Sequence, residues 1–142
     1  MSDSTSLSPP DSVELHYRND LQILTARWLR PIPAPELVQS YEAALSKAKQ
    51  HRARYWLLDV RGRGPASEDD TEWVLTEFFP RLHEQLGGRV YVCFLLAASQ
   101  LSAAEQEEGA PLVANEQYHV RLFTAEAPAL AWLSRRQDYE SA

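Results

Sequence analysis

The chain predicts an α/β domain built on a mostly parallel sheet, and three observations carry that prediction. Two short runs are apolar without interruption, Tyr55 to Val60 (YWLLDV) and Val90 to Ala98 (VYVCFLLAA), as strands covered on both faces are. Segments of helical spacing lie before, between and after them, so strand and helix alternate. The length, 142 residues, suits a single domain with a sizeable core.

The first dozen residues, MSDSTSLSPPDS, are rich in Ser, Pro and Asp, and a mobile tail is expected over 1–12. The domain proper is expected over 13–136. Val13 to Arg18 (VELHYR) and Leu21 to Leu29 (LQILTARWL) carry near-alternating apolar residues around Asn19-Asp20, a pair suited to a tight hairpin. The prolines of RPIPAP then end the second strand and leave Pro35 at the start of a helix. From Glu36 to His51 the apolar residues Leu37, Val38, Tyr41, Ala44, Leu45 and Ala48 recur at three- and four-residue spacing, which predicts an amphipathic helix.

A second helical stretch, Glu68 to Leu86, is interrupted by Pro80, which has no N–H for the carbonyl of Thr76 and should split it in two. Ser102 to Glu108 reads as a short helix opened by a Ser102/Glu105 capping box and ended by Gly109-Ala110-Pro111. Tyr118 to Phe123 (YHVRLF) is the last predicted strand. Thr124 is placed to cap a final helix to about Arg136, with 137–142 as a tail. The expected order is ββαβαβαβα, an N-terminal hairpin followed by βα repeats: five strands, mostly parallel, with about four helices. If consecutive strands are neighbours, the helices cover mainly one sheet face. The other face then needs a cover: a partner subunit, an apolar ligand, the N-terminal segment, or a helix crossing beneath the sheet.

Composition narrows the function classes. The formal net charge of -6, from 14 basic and 20 acidic residues, repels a phosphate backbone, so nucleic acid is not an expected partner. The N-terminus lacks the basic and apolar regions of a signal peptide, and no apolar run approaches the ~20 residues of a membrane helix; a cytoplasmic protein is expected. Cys93 stands alone inside an apolar run, where a thiol behaves as a small buried hydrophobe. The four histidines, His16, His51, His83 and His119, are scattered without ligand spacing, so neither a metal nor another cofactor is expected.

Ligand crevices in open α/β sheets lie at the carboxyl ends of strands, which directs attention to the loops after Val60 and Ala98. The first reads LLDVRGRGPASEDD over Leu57 to Asp70. Ser67 and Asp70 fit a helix-capping pattern, and Glu68, Asp69 and Asp70 complement a helix N-terminus. In the functional reading, Arg61, Gly62, Arg63 and Gly64 form a flexible cationic loop that holds an anion or a phosphorylated Ser67. Asp59 ends a strand, where an acidic side chain either bonds loop amides or serves as a base. Ser99 and Gln100 follow the other central strand and are candidates to face the same crevice as Asp59.

The strand YWLLDVRG and the ending VRLFTAEAPALAWL, with Phe123, Trp132 and Leu133 in an approximate Phe-x-x-x-x-Ala-x-x-Trp-Leu pattern, are what a known family shares. Over residues 13 to 136 the chain resembles STAS-like domains, related to anti-sigma-factor antagonists, and more closely small bacterial proteins of STAS or CRAL-TRIO-like type. That resemblance implies a non-enzymatic regulatory module that binds a protein partner, including itself as a homodimer, with loop 61–70 as the recognition surface. In such antagonists a hydroxyl at the start of the second helix is phosphorylated by a partner kinase. Ser67 is the nearest hydroxyl by position, but it is followed by Glu68 and the family's glycine is missing. CRAL-TRIO-like kinship implies instead a carrier or sensor of a small apolar molecule. A third reading is an enzyme acting through Asp59 and Arg61.

Overall fold

The computed structural model describes residues 10–141. Its strands are β1 (Val13–Arg18), β2 (Ile23–Trp28), β3 (Tyr55–Asp59), β4 (Val90–Leu95), β5 (Ala110–Ala114) and β6 (Tyr118–Phe123), and its α-helices are α1 (Ala34–His51), α2 (Glu68–Trp73), α3 (Phe79–Leu86), α4 (Ala103–Glu108) and α5 (Glu126–Ser141). One sheet joins the strands in the order β1-β2-β3-β4-β6-β5. Parallel pairing runs from β2 through β3 and β4 to β6, and antiparallel β1 and β5 close the two edges.

The sheet therefore has six strands where five are expected. The extra one, β5, is the segment APLVA directly after Gly109, which reads as a helix stop because it contains Pro111 and alternates weakly. An edge strand tolerates a residue without a donor, and a pairing irregularity between Pro111 and Val113 accommodates it. The first hairpin also differs in detail. Its loop spans Asn19 to Gln22, with Arg18 paired to Ile23, because the backbone N–H groups of Leu21 and Gln22 both donate to the Arg18 carbonyl and Gln22 takes a left-handed φ of 57°.

Pro80 divides the second helical stretch as its chemistry requires, and a π-helical turn, Val74–Phe78, joins the two pieces. The final helix continues past Arg136 to Ser141, so the expected tail over 137–142 is helical as far as the described residues reach. Tertiary contacts hold it: Gln137 donates to the Leu21 carbonyl at 2.9 Å, and Glu140 accepts from both Arg54 and Tyr55. Of the expected N-terminal tail, residues 1–9 lie outside the described residues. Ser12 is buried, and its carbonyl accepts from Leu29 N–H at 2.7 Å.

β3 and β4 are buried at every position, so both sheet faces need a cover. On one face Leu24, Trp56, Leu58 and Val92 meet Tyr41, Leu45 and Ala48 of α1 and Phe79 and Leu82 of α3. On the other, Tyr55, Leu57, Cys93, Leu95 and Phe123 meet Ala129, Trp132 and Leu133 of α5. Of the candidate covers, it is the crossing helix that lies there. Exposed large apolar side chains among the described residues are Leu29, Leu112 and Tyr139, on three separate segments. No helix among them is long and apolar enough to cross a membrane.

Trp132 joins α5 to the sheet through edge and tilted contacts with Tyr91, His119 and Phe123. Trp132→Ala is expected to cost about 4 kcal/mol in denaturant unfolding, the range for a buried large aromatic in a site that cannot collapse.

Candidate functional site

The turn after β3 sends its two arginines to opposite sides of the sheet. Alternation along YWLLDV puts Tyr55, Leu57 and Asp59 on the α5 face and Trp56, Leu58 and Val60 on the α1 face. Asp59 therefore stays with Arg61: the Arg61 guanidinium donates to both carboxylate oxygens, at 2.9 and 2.8 Å, and the Arg61 backbone N–H adds a third bond at 3.1 Å. Arg27, its register partner on β2, contributes a longer contact at 3.4 Å. Burial pushes the Asp59 carboxyl up, but the bonds and charge of Arg61 with the contact from Arg27 outweigh it and hold the group below the usual carboxylate range. A carboxylate held ionised with its lone pairs engaged is a loop tether and a poor base.

Arg63 turns the other way. Its guanidinium lies 4.9 Å from the Trp28 ring and 6.0 Å from the Tyr41 ring, in the aromatic end of the α1 core. Two glycines make this path possible. A Cβ on Gly62 would stand 2.5 Å from the Trp28 carbonyl oxygen, and Gly64 holds φ at +84°. The backbone N–H groups of Arg63 and Gly64 both donate to the Val60 carbonyl, so the loop expected to be flexible is pinned at each step.

Ser67 is the N-cap of α2 and accepts from the Asp70 N–H at 3.1 Å, which explains the acidic residues after it as first-turn complements to the helix dipole. The hydroxyl is exposed, while Asp70 is half-buried. Ser99 lies in a short 3-10 turn, Ala98–Gln100, and is exposed. Of the two residues expected to face the crevice from this segment, it is Gln100 that reaches it.

That crevice is a cavity of about 230 Å³ at the carboxyl ends of β3, β4 and β6. Val60, Phe94, Leu96 and Leu122 come from the sheet side, Leu37 and Tyr41 from α1, and Val74 and Leu75 from the π-helical turn. Its polar groups are few: Arg63 and Asp70, with Thr71, Gln100 and the Tyr41 phenol. Tyr41 OH and Arg63 Nη1 are both sealed from water and neither makes a hydrogen bond of full geometry, although the Arg63 side chain interacts with the phenol. Burial raises the Tyr41 hydroxyl above its ordinary range, against the opposing influence of Arg63, so it is a neutral donor at any physiological pH. Sequence reasoning missed Tyr41 because at helical spacing an aromatic residue reads simply as core. Of the candidates, Arg63, Gly64 and Asp70 gather at the cavity, Asp59 and Arg61 lie on the other face, and Ser67 and Ser99 stand outside. Among the described residues no group of three His, Cys, Asp or Glu side chains is arranged to hold a metal.

Gly62→Ala must displace the loop from β2. It is expected to lower stability by about 2 kcal/mol in chemical denaturation, from strain and disturbed packing at the turn. Asp59→Asn is expected to lower stability at neutral pH by about 1 kcal/mol, since Arg61 and Arg27 are part-exposed and the solvent screens them. Because the folded pKa of Asp59 is depressed, its contribution is fully present above the ordinary carboxylate pKa and is lost as the pH falls through the folded value. The two proteins should therefore converge in urea midpoint in acid.

Compared with profiles of protein families, with curated proteins and with solved structures, the chain matches none of them significantly.

Proposed function

We propose that this protein is a non-enzymatic binding module, a carrier or sensor, for a small apolar molecule that bears one acidic or hydrogen-bond-accepting head. The observation that carries the reading is the cavity wall, mostly apolar, with the Arg63 guanidinium and the Tyr41 phenol together among its few polar residues. A guanidinium and a neutral phenol with no acceptor of full geometry suit a ligand oxygen, once those side chains turn toward the cavity. A benzene-sized guest fills roughly 150 Å³, so about 230 Å³ suits one ring or branched chain with a short substituent. Asp70 at the same cavity opposes a second negative charge, which favours a monocarboxylate over a phosphate ester.

The STAS-like resemblance supports a second reading, a regulatory module that binds a protein partner or a second copy of itself. The exposed side of loop 61–70, with Arg61, Ser67, Glu68 and Asp69, is its specific support. A phosphate on Ser67 would stand beside Glu68 and Asp69, whose charge opposes it. The two readings join if ligand occupancy is relayed through α2, since Thr71, Val74 and Leu75 reach the cavity from the helix that Ser67 caps.

Titration with phenylacetate, followed by fluorescence of Trp28 and Trp73, is expected to saturate, with phenylacetamide at least tenfold weaker. Arg63→Gln should lose about tenfold or more of the carboxylate affinity, while circular dichroism shows the fold retained. Tyr41→Phe separates the phenol's part from that of the guanidinium. Absence of saturation by either compound, together with a dimer free of bound mass in native mass spectra, would reverse the order of the two readings.

A further inference from the structure

The remaining orphaned polar atoms are not spread at random. Among the described residues, apart from Tyr41, Arg63 and Ser12, the buried side-chain atoms without partners are Arg89 Nε, His119 Nδ1 and Arg121 Nε. These three residues form one cluster on the α5 face, on the opposite side of the sheet from the cavity. Register sets the framework: Tyr91 of β4 pairs with His119 of β6, and Cys93 pairs with Arg121. His119 stands edge-on to Trp132 at 4.9 Å and tilted to Tyr91 at 6.1 Å. Arg89 lies over the Tyr91 ring at 5.3 Å, and Arg136 of α5 lies over Trp132 at 5.5 Å.

Three guanidinium groups thus surround one imidazole in a chain whose formal net charge is -6. Among the described residues none of the three forms an ion pair. The carboxylate on the adjoining turn of α5, Glu140, is bonded by Arg54 and Tyr55 and acts on Arg89 only through its charge, and Arg121 donates to the carbonyls of Glu108 and Gly109. Three like charges that share no more than one carboxylate, itself bonded elsewhere, are unfavourable unless something anionic joins them. Cation–π contacts hold the Arg89 guanidinium over Tyr91 and that of Arg136 over Trp132 and Tyr139, which leaves guanidinium edges for forked hydrogen bonds with an oxyanion.

We propose that Arg89, Arg121 and Arg136 form a binding site, centred on His119, for a dianionic oxyanion group of the phosphate or sulfate type. It is independent of the cavity on the α1 face, whose Asp70 disfavours such a charge. The free site already records its charge. Burial first, and then Arg136, Arg89 and Arg121, lower the His119 pKa to about 4. The other titratable groups beside it are the Tyr91 phenol, whose ring lies 6.1 Å from the imidazole, and, opposite Arg121, the Cys93 thiol, which burial pushes up. An anion among the arginines would cancel their repulsion of the imidazolium, so protonation of His119 and anion binding must favour each other.

The test is an NMR titration of the His119 imidazole in sulfate, which stays dianionic across the range, against sodium chloride of equal ionic strength. About 10 mM sulfate is expected to raise the pKa by about one unit, a tenfold gain in proton affinity, with a much smaller rise in chloride. In Arg89→Gln/Arg136→Gln the free pKa should move toward the ordinary histidine value and the sulfate-specific rise should vanish. Arg121→Lys, which keeps the charge and loses the fork, should weaken sulfate roughly tenfold. Equal shifts in the two salts, or a sulfate-specific rise that survives the double substitution, would overturn the proposal. Inorganic phosphate and phosphoserine, titrated in parallel at neutral pH, both support it by binding, and their ratio tells whether the group is taken free or as an ester.

Discussion

Two adjacent strands with no polar face dictate this architecture. YWLLD and VYVCFL are buried at every position, so each presents apolar surface to both sides of the sheet, and neither side can be left to water. The chain meets that demand asymmetrically. α1 and α3 build a large aromatic core on one face, and α5 alone, through Ala129, Trp132 and Leu133, seals the other. Antiparallel β1 and β5 take the edges, where short, partly exposed strands need only one neighbour. With both faces filled from within, the sheet itself gives no reason to require a partner subunit.

The same alternation that fills the sheet divides its polar residues. A strand leaving β3 at Asp59 has its next inward position at Val60, so a turn starting there must choose a face for each following side chain. Arg61 returns to Asp59 and closes an ionic tether on the part-exposed side. Arg63, two residues on, goes to the aromatic side over Trp28. A guanidinium is tolerated there because its weakly hydrated plane packs on rings, whereas an ammonium in the same place would demand water. Gly62 and Gly64 are the steric conditions for this division, one against the β2 backbone and the other at positive φ.

Polar atoms without partners then separate into two groups on opposite faces, and they differ in kind. Tyr41 and Arg63 offer one phenol and one cation beside an apolar cavity, a combination for a modest acceptor on a hydrophobic body. Arg89, Arg121 and Arg136 around His119 offer concentrated charge, a combination for a small, highly charged group. The π-helical turn that follows from Pro80 lies against the first of these, so the irregularity in the helix and the ligand site share residues Val74 and Leu75.

Residues 55–60 and 90–95 announce buried strands, the spacing from Leu37 to Ala48 announces a helix, and Ser67 and Ser102 announce helix starts; all of these follow from local periodicity and capping chemistry. Strand β5 was illegible because a proline and five weakly alternating residues become a strand only when β6 supplies the hydrogen bonds. The last turn of α5 was illegible for a related reason: Arg54, Tyr55 and Leu21, far away in sequence, hold it. At the candidate sites the sequence by itself determined that a turn with two arginines and two glycines would follow β3 at the sheet's carboxyl edge. Only the tertiary structure decided that Asp59 and Arg61 belong to one face and Arg63 to the other, and that Tyr41 and His119 carry unpaired polar atoms. Whether a buried donor finds an acceptor depends on neighbours from other elements, and no local pattern encodes that.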